Sequence, residues 1–135
     1  MKVDHIGIAV RNMAAALKAY EAIGLTAEAT EAVPSEGVRV AFLPAGESYL
    51  ELLEPLGPDT VIGKFLVKRG EGLHHVALAV DDILAAMKRA KAAGLAVIDE
   101  EPRRGARGRR VAFVHPKSVG GVLMEFVQNP RHPRE

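Results

Sequence analysis

His5-Ile6-Gly7-Ile8-Ala9-Val10 and His75-Val76-Ala77-Leu78-Ala79-Val80 are one pattern written twice, 70 residues apart. The register continues without a gap to Leu25 and Leu95, and 9 of its 21 positions are identical. They are His5, Ala9, Val10, Ala15, Ala16, Lys18, Ala22, Gly24 and Leu25, repeated as His75, Ala79, Val80, Ala85, Ala86, Lys88, Ala92, Gly94 and Leu95. Farther along, Arg39-Val40-Ala41-Phe42 recurs as Arg110-Val111-Ala112-Phe113, and Leu50-Glu51-Leu52-Leu53 corresponds to Met124-Glu125-Phe126-Val127. A match held at one spacing over that length is an internal repeat, and a repeat governs every later reading of the fold. The chain is two copies of one module.

Each module reads as a strand, a helix and three more strands. Residues 3–10 and 74–80 are short and rich in β-branched or aliphatic side chains, as strands are. Asn12 and either Asp81 or Asp82 stand where N-caps belong, ahead of Ala-rich helices over 13–23 and 83–93. In the second helix Ile83, Met87 and Ala90 make one apolar face, and Gly24 and Gly94 supply the positive φ that a helix end favours. Strands are then expected at 26–32, 37–44 and 49–54, and again at 95–100, 109–114 and 121–128. Module one covers about 2–54 and module two about 72–130, forming a single domain over 1–135. The linker, 55–71, opens on Pro55, Gly57 and Pro58 and carries a short helix over 61–69. The tail, 130–135, is polar and reads as loose. The expected fold class is α+β: two paired βαβββ modules forming a curved sheet around a metal-binding cleft.

Composition excludes several function classes. With 18 basic and 17 acidic side chains in 135 residues, the net charge of +1 gives no broad basic field for nucleic acid or an anionic membrane. No apolar run is long enough to span a bilayer, and the N-terminus lacks the apolar segment of a signal peptide, so a cytoplasmic protein is expected. Cysteine is absent, so disulfides, thiolate metal sites and a cysteine nucleophile are excluded. Aromatics are only 4% of residues with no Trp, a core light in bulky side chains that a homodimer would help to bury.

Two polar residues recur at matching places: a His on the first strand and a Glu on the last. They are His5, Glu51, His75 and Glu125. Alternation puts His5 beside Gly7 and Ala9, and His75 beside Ala77 and Ala79, small neighbours that leave room above a sheet. Each Glu stands between apolar residues whose side chains point the other way. A lone strand histidine is usually a hydrogen-bonded structural residue, and a lone buried carboxylate is costly. A repeat that duplicates both, about a pseudo-twofold axis, favours four ligands for one divalent ion. Nitrogen and oxygen donors suit six-coordinate cobalt, manganese, nickel or zinc, with cobalt preferred, and leave two positions for substrate oxygens. That arrangement fits removal of a proton α to a carbonyl. His74 falls on the opposite face and reads as structural; His115 shapes a turn, and His132 lies in the tail. Arg103, Arg104, Arg107, Arg109 and Arg110 form the one charged outlier, open to a solvated loop or a phosphate grip.

The paired modules resemble the vicinal oxygen chelate superfamily, the glyoxalase/bleomycin-resistance-like fold, and within it the methylmalonyl-CoA epimerases. The stretches that carry the resemblance begin at His5 and run to Val10, at Tyr49 to Leu56, at Gly72 to Leu78, and at His115 to Glu125. The last, His115-Pro116-Lys117 followed by Gly120-Gly121-Val122-Leu123-Met124-Glu125, is the most specific. The resemblance spans about residues 2 to 130. It implies an acyl-CoA substrate, chelated through its thioester and carboxylate oxygens, and an enolate stabilised by the metal. Glu125 is implied as both ligand and acid/base, and Glu51 falls where some members carry Gln. The second catalytic carboxylate is expected two residues before a glycine; here Ser35 holds that place and Glu36 follows it, one residue late. For the CoA phosphates, Lys117 and Arg107 are the expected contacts. Rival readings are a lactoylglutathione lyase-like isomerase and a non-enzymatic small-molecule-binding protein of the same fold. The specific C-terminal stretch disfavours the first, and the filled ligand positions with few aromatics disfavour the second.

Overall fold

The computed structural model describes residues 1–130; the end of the tail, with His132, lies outside the described residues. Two compact units divide the chain, His5–His74 and Met1–Asp4 with His75 onward. In the first, β1 (Lys2–Ala9), entered from Asp4, leads to α1 (Met13–Ala22), β2 (Ala29–Val33), β3 (Val38–Ala45), β4 (Ser48–Pro55) and the linker helix α2 (Val61–Arg69). Its strand order is β2-β3-β4-β1, with β1 parallel to β4 and the other pairs antiparallel. In the second, β5 (Gly72–Ala79) leads to α3 (Ile83–Ala92), β6 (Arg103–Arg104), β7 (Arg110–Val114) and β8 (Met124–Gln128). The order β5-β8-β7-β6 repeats that of the first unit. The βαβββ reading, the α+β class and the linker helix at 61–69 all hold.

The helices start and stop as their sequences dictate. Asn12 accepts a hydrogen bond from the Ala15 N–H at 2.9 Å, and Asp82, rather than Asp81, accepts one from Ala85 at 3.1 Å. Each helix also has its first N–H taken by the last strand of its module. Met13 N–H donates to Glu54 at 2.7 Å, and Ile83 N–H to Gln128 at 2.8 Å. Those bonds settle two of the donors that a helix start leaves without helical partners. Past the ends, Gly24 and Gly94 take φ of +99° and +86°, where a β-carbon would strain the backbone.

Each helix covers one face of its strands. Met13 of α1 packs with Val10, Ala41, Leu43 and Leu52; Ile83 and Met87 of α3 pack with Ala112 and Phe126. Full burial of a Leu such as Leu43 or Leu52 contributes about 2 kcal/mol. Because Leu52 and Phe126 face helices, Glu51 and Glu125, next to them in the chain, face away.

The expected strand at 95–100 does not form. Ile98 N–H bonds Phe113 O at 2.8 Å, as Glu28 N–H bonds Phe42 O in module one, and Val97 makes an isolated bridge to Val114. Then the Asp99 carboxylate takes the Phe113 N–H at 2.8 Å, supplanting a backbone acceptor, and pairing resumes only at Arg103 and Arg104. Pro102, with no N–H to give, lies within the gap. In module one the strand starts at Ala29 and runs to Val33, three residues later than the expected start.

The arginine-rich segment is not uniformly solvated. Arg109 is buried; its Nη1 lies 3.1 Å from Asp4 Oδ2 and its Nε donates to Ala106 O at 2.9 Å. Asn129 Nδ2 donates to the other Asp4 oxygen at 3.2 Å. A buried pair of this kind is costly to break from one side, because the surviving charge has no counterpart. Replacing Asp4 by Ala should therefore lower the unfolding free energy by about 3 kcal/mol. The double change Asp4→Ala/Arg109→Met should recover most of that loss in urea titrations.

Candidate metal centre

The strand registers place the same constellation in each module. In the first, Gly7 of β1 stands opposite Glu51 of β4, and Phe42 of β3 stands opposite Glu51 from the other side. In the second, Ala77 of β5 and Phe113 of β7 flank Glu125 of β8 in the same manner. His5 and His75 each precede the small residue by two positions, so alternation puts histidine, carboxylate and phenylalanine on the face away from the helix. Gly7 and Ala77 leave space beside the carboxylates that a larger side chain would fill.

Geometry closes each pair. His5 Nδ1 lies 3.1 Å from Glu51 Oε2, and His75 Nε2 lies 3.3 Å from Glu125 Oε1. All four are buried, with exposures of 2% for His5, 3% for Glu51, 7% for His75 and 5% for Glu125. Two carboxylates at that depth are expensive without positive charge to meet them. An imidazole nitrogen and a carboxylate oxygen that close together are also the donor types a first-row divalent ion takes. Each module thus supplies one imidazole and one carboxylate of the kind that such an ion takes.

The surroundings hold the pairs in place. Phe113 meets the His75 ring edge to face, centroids 5.7 Å apart and planes at 90°. Arg103 sets its guanidinium over the Phe113 ring, 5.5 Å from the centroid, and its Nε pairs with Asp99 at 2.8 Å. In module one Phe42 makes a T-shaped contact with Tyr49, whose hydroxyl donates to Glu28 at 2.8 Å.

The other residues singled out from sequence fall elsewhere. His74 packs edge-on to Phe65 of α2 at 4.9 Å, a structural place as expected. His115 Nδ1 accepts the Lys117 N–H at 3.0 Å and caps the 3₁₀ turn Pro116–Ser118, so it does shape a turn. Lys117 and Arg107 are both exposed, and Arg107 holds the left-handed backbone at φ 58°. Glu36 ends the 3₁₀ turn Pro34–Glu36 between β2 and β3. Its neighbour Gly37 is level with Leu56, through the Leu56 N–H to Gly37 O bond of 2.9 Å. That level is five residues beyond Glu51 on β4, about 16 Å of backbone at the strand rise.

Spacing to Gly37 also misses two charged residues that share the ligand face. Glu31 stands opposite Val40, which stands opposite Leu53; Arg103 stands opposite Val111, which stands opposite Val127. Val40 and Val111 lie two residues before Phe42 and Phe113, so both rows face as Glu51 and Glu125 do. Only the hairpin pairing shows which face they take.

Known proteins carry the same plan. Residues 4–113 match the model of the glyoxalase/bleomycin resistance protein/dioxygenase superfamily. The chain is 42% identical over 130 residues to the human mitochondrial methylmalonyl-CoA epimerase, spanning 94% of this chain and 73% of that protein. It is 40% identical to the ethylmalonyl-CoA/methylmalonyl-CoA epimerase of Cereibacter sphaeroides, spanning 94% and 97%. Among solved structures, a single-residue variant of the Streptomyces coelicolor methylmalonyl-CoA epimerase, in complex with 2-nitronate-propionyl-CoA, superposes with a TM-score of 0.91. Its identity is 40%, over 97% of this chain and 99% of that one. With the repeated His–Glu register and this likeness along nearly its whole length, the chain belongs to the glyoxalase/bleomycin resistance protein/dioxygenase superfamily and, within it, to the methylmalonyl-CoA epimerase family.

Proposed function

We propose that the protein interconverts the R and S forms of methylmalonyl-CoA, with His5, Glu51, His75 and Glu125 holding one divalent ion in a single domain built from both modules. The observation that carries this reading is the buried His–Glu pair set twice in one register. The relatives' names supply the substrate class. Cobalt is the preferred ion, with manganese, nickel and zinc as alternatives from the same donor set. When bound, the ion supplies Lewis-acid stabilisation for negative charge on the acyl oxygens.

The chain's own residues do the rest. Loss of the C2 proton leaves a planar carbon, flanked by thioester and carboxylate, to which a proton can return on either face. Glu125 accepts the C2 proton on one face. Inversion then needs a second group on the other. His5 and His75 orient the carboxylates beside them, and the apolar and aromatic neighbours Phe42 and Phe113 keep bulk water from the carbanion. Lys117 and Arg107, exposed in module two, are proposed to meet the CoA phosphates. The working form is proposed to be a cytoplasmic homodimer. None of the helices among the described residues is long and apolar enough to cross a membrane.

Elemental analysis of the purified protein should find close to one divalent transition ion per chain. His75→Ala should lose most of it while His74→Ala keeps it; full retention in His75→Ala would reject this ligand set. In deuterated water, the protein given one epimer should both exchange the C2 proton and invert the centre. Glu125→Gln should lower the rate by about 10²–10⁴, the usual range for a lost acid/base. Reversing charge at Lys117 or Arg107 should raise KM with little change in kcat, since phosphates lie far from the reacting carbon. An unaltered KM in both would remove them from the binding site.

A further inference from the structure

A buried imidazole orients the carboxylate beside it only if its own ring is held in one plane. Ala77, the next residue on the same face of β5, is too small to hold the ring of His75. Phe113 of β7 meets that ring at 5.7 Å, with the planes at 90°. We infer that Asp99 and Arg103 are positioning residues, which clamp Phe113 and through it fix the His75 imidazole against Glu125. All five residues belong to the unit that runs from His75 onward. The effect of the clamp on turnover rests on the epimerase reading; the clamp itself does not.

One carboxylate holds the phenylalanine from two sides. Asp99 Oδ2 accepts the Phe113 backbone N–H at 2.8 Å, and Asp99 Oδ1 lies 2.8 Å from Arg103 Nε. The guanidinium so held lies over the Phe113 ring, 5.5 Å from its centroid, where the negative face of the ring attracts a cation. The Asp99 side chain is 11% exposed against 42% for Arg103, so the carboxylate is the fixed inner end of the clamp and the arginine its outer cover. Phe113 is half-buried, and the last torsion of a phenylalanine is broad by itself, so the ring relies on that cover for a single orientation. Phe113 stands opposite Glu125, and a turn of its ring would disturb the imidazole 3.3 Å from that carboxylate.

The clamp belongs to one module. Ile98 N–H bonds Phe113 O as Glu28 N–H bonds Phe42 O, so Asp99 matches Ala29, which has no carboxylate. Arg103, opposite Val111, matches Glu31, opposite Val40, and an acid offers no cation to a ring face. The His–Glu pair is duplicated; the clamp is not. Module two gives up regular strand pairing after Ile98 to make it, a departure from the repeat of the kind expected where function requires it. The pair it serves contains Glu125, the proton acceptor of the epimerase reading. A group that must reach one hydrogen of a substrate tolerates little displacement.

The test reads His75 directly, in the full-length protein dialysed against a chelator so that no ion holds the ring. In nitrogen-edited NMR spectra, wild-type His75 should give one sharp set of ring signals, assigned by their absence from His75→Gln. Arg103→Ala should broaden or split that set while its Tm stays within about 4 °C of wild type. With metal restored, its kcat should fall about 10- to 100-fold, the usual loss when an outer contact of a histidine ligand is removed, with KM within about twofold. Arg103→Lys, which keeps a cation, should recover part of both. Asp99→Asn keeps an acceptor for the Phe113 N–H but no charge for Arg103, and should reproduce the Arg103→Ala spectrum in milder form; it is read in place of Arg103→Ala if that variant does not fold. Arg104→Ala, on the other face of β6, should leave the His75 signals as they are. His75 signals unchanged in Arg103→Ala and Asp99→Asn, or an Arg103→Lys protein no better than Arg103→Ala, would overturn the clamp. A wild-type protein that leaves both epimers of methylmalonyl-CoA untouched would instead defeat the epimerase reading, and the His75 spectra would still decide the clamp.

Discussion

A carboxylate buried against an imidazole is the constraint on which the rest depends. Glu51 and Glu125 sit in strands whose neighbours are leucine, methionine and phenylalanine, so each is carried into the interior by its apolar flanks. Such a charge is tolerable only with a partner within a few ångströms, and His5 and His75 are at 3.1 and 3.3 Å. Bringing that partner near requires the first and last strands of a module to be adjacent and parallel, as β1 with β4 and β5 with β8 are. A parallel connection cannot be a tight turn. Within each module the helix and two further strands make the crossing, and the helix takes the face that the carboxylate leaves.

The repeat is faithful where burial demands it and free elsewhere. Ligand, small neighbour and facing phenylalanine keep their register in both copies. So does the bond from the first helical N–H to the last strand, although Glu54 in one copy is Gln128 in the other. At the outer edge the modules part company. Module one continues into a regular strand over Ala29–Val33, whereas Asp99 in module two bonds Phe113 N–H, grips Arg103 and leaves only a two-residue strand. The edge has fewer neighbours to satisfy, so a side chain can substitute for backbone there at little cost. Those edges are also where Glu31 and Arg103, at matching places, differ in sign.

Much was legible from residues alone. The duplication, the βαβββ order, the caps at Asn12 and Asp82, the linker helix and the four buried ligand candidates all follow from pattern and spacing, because apolar periodicity and capping chemistry act over a few residues. The strand at 95–100 was not legible as broken, since the Asp99 carboxylate that interrupts it bonds a strand farther along the chain. Arg109 reads as one more exposed charge in a basic loop until Asp4, 105 residues earlier, is seen beside it.

Sequence by itself therefore determined the module, its helices and which His and Glu residues would turn from the helices toward a common kind of site. Tertiary structure decided which charged residues join that face. Glu31 and Glu36 are five positions apart and chemically identical. Only the pairing of β2 with β3 puts the first in a row two residues from Glu51 and the second in a turn at the far end. Alternation in a strand fixes a side chain's face, but how far it lies from a ligand on another strand depends on hydrogen-bond register, and register is a property of two segments rather than one.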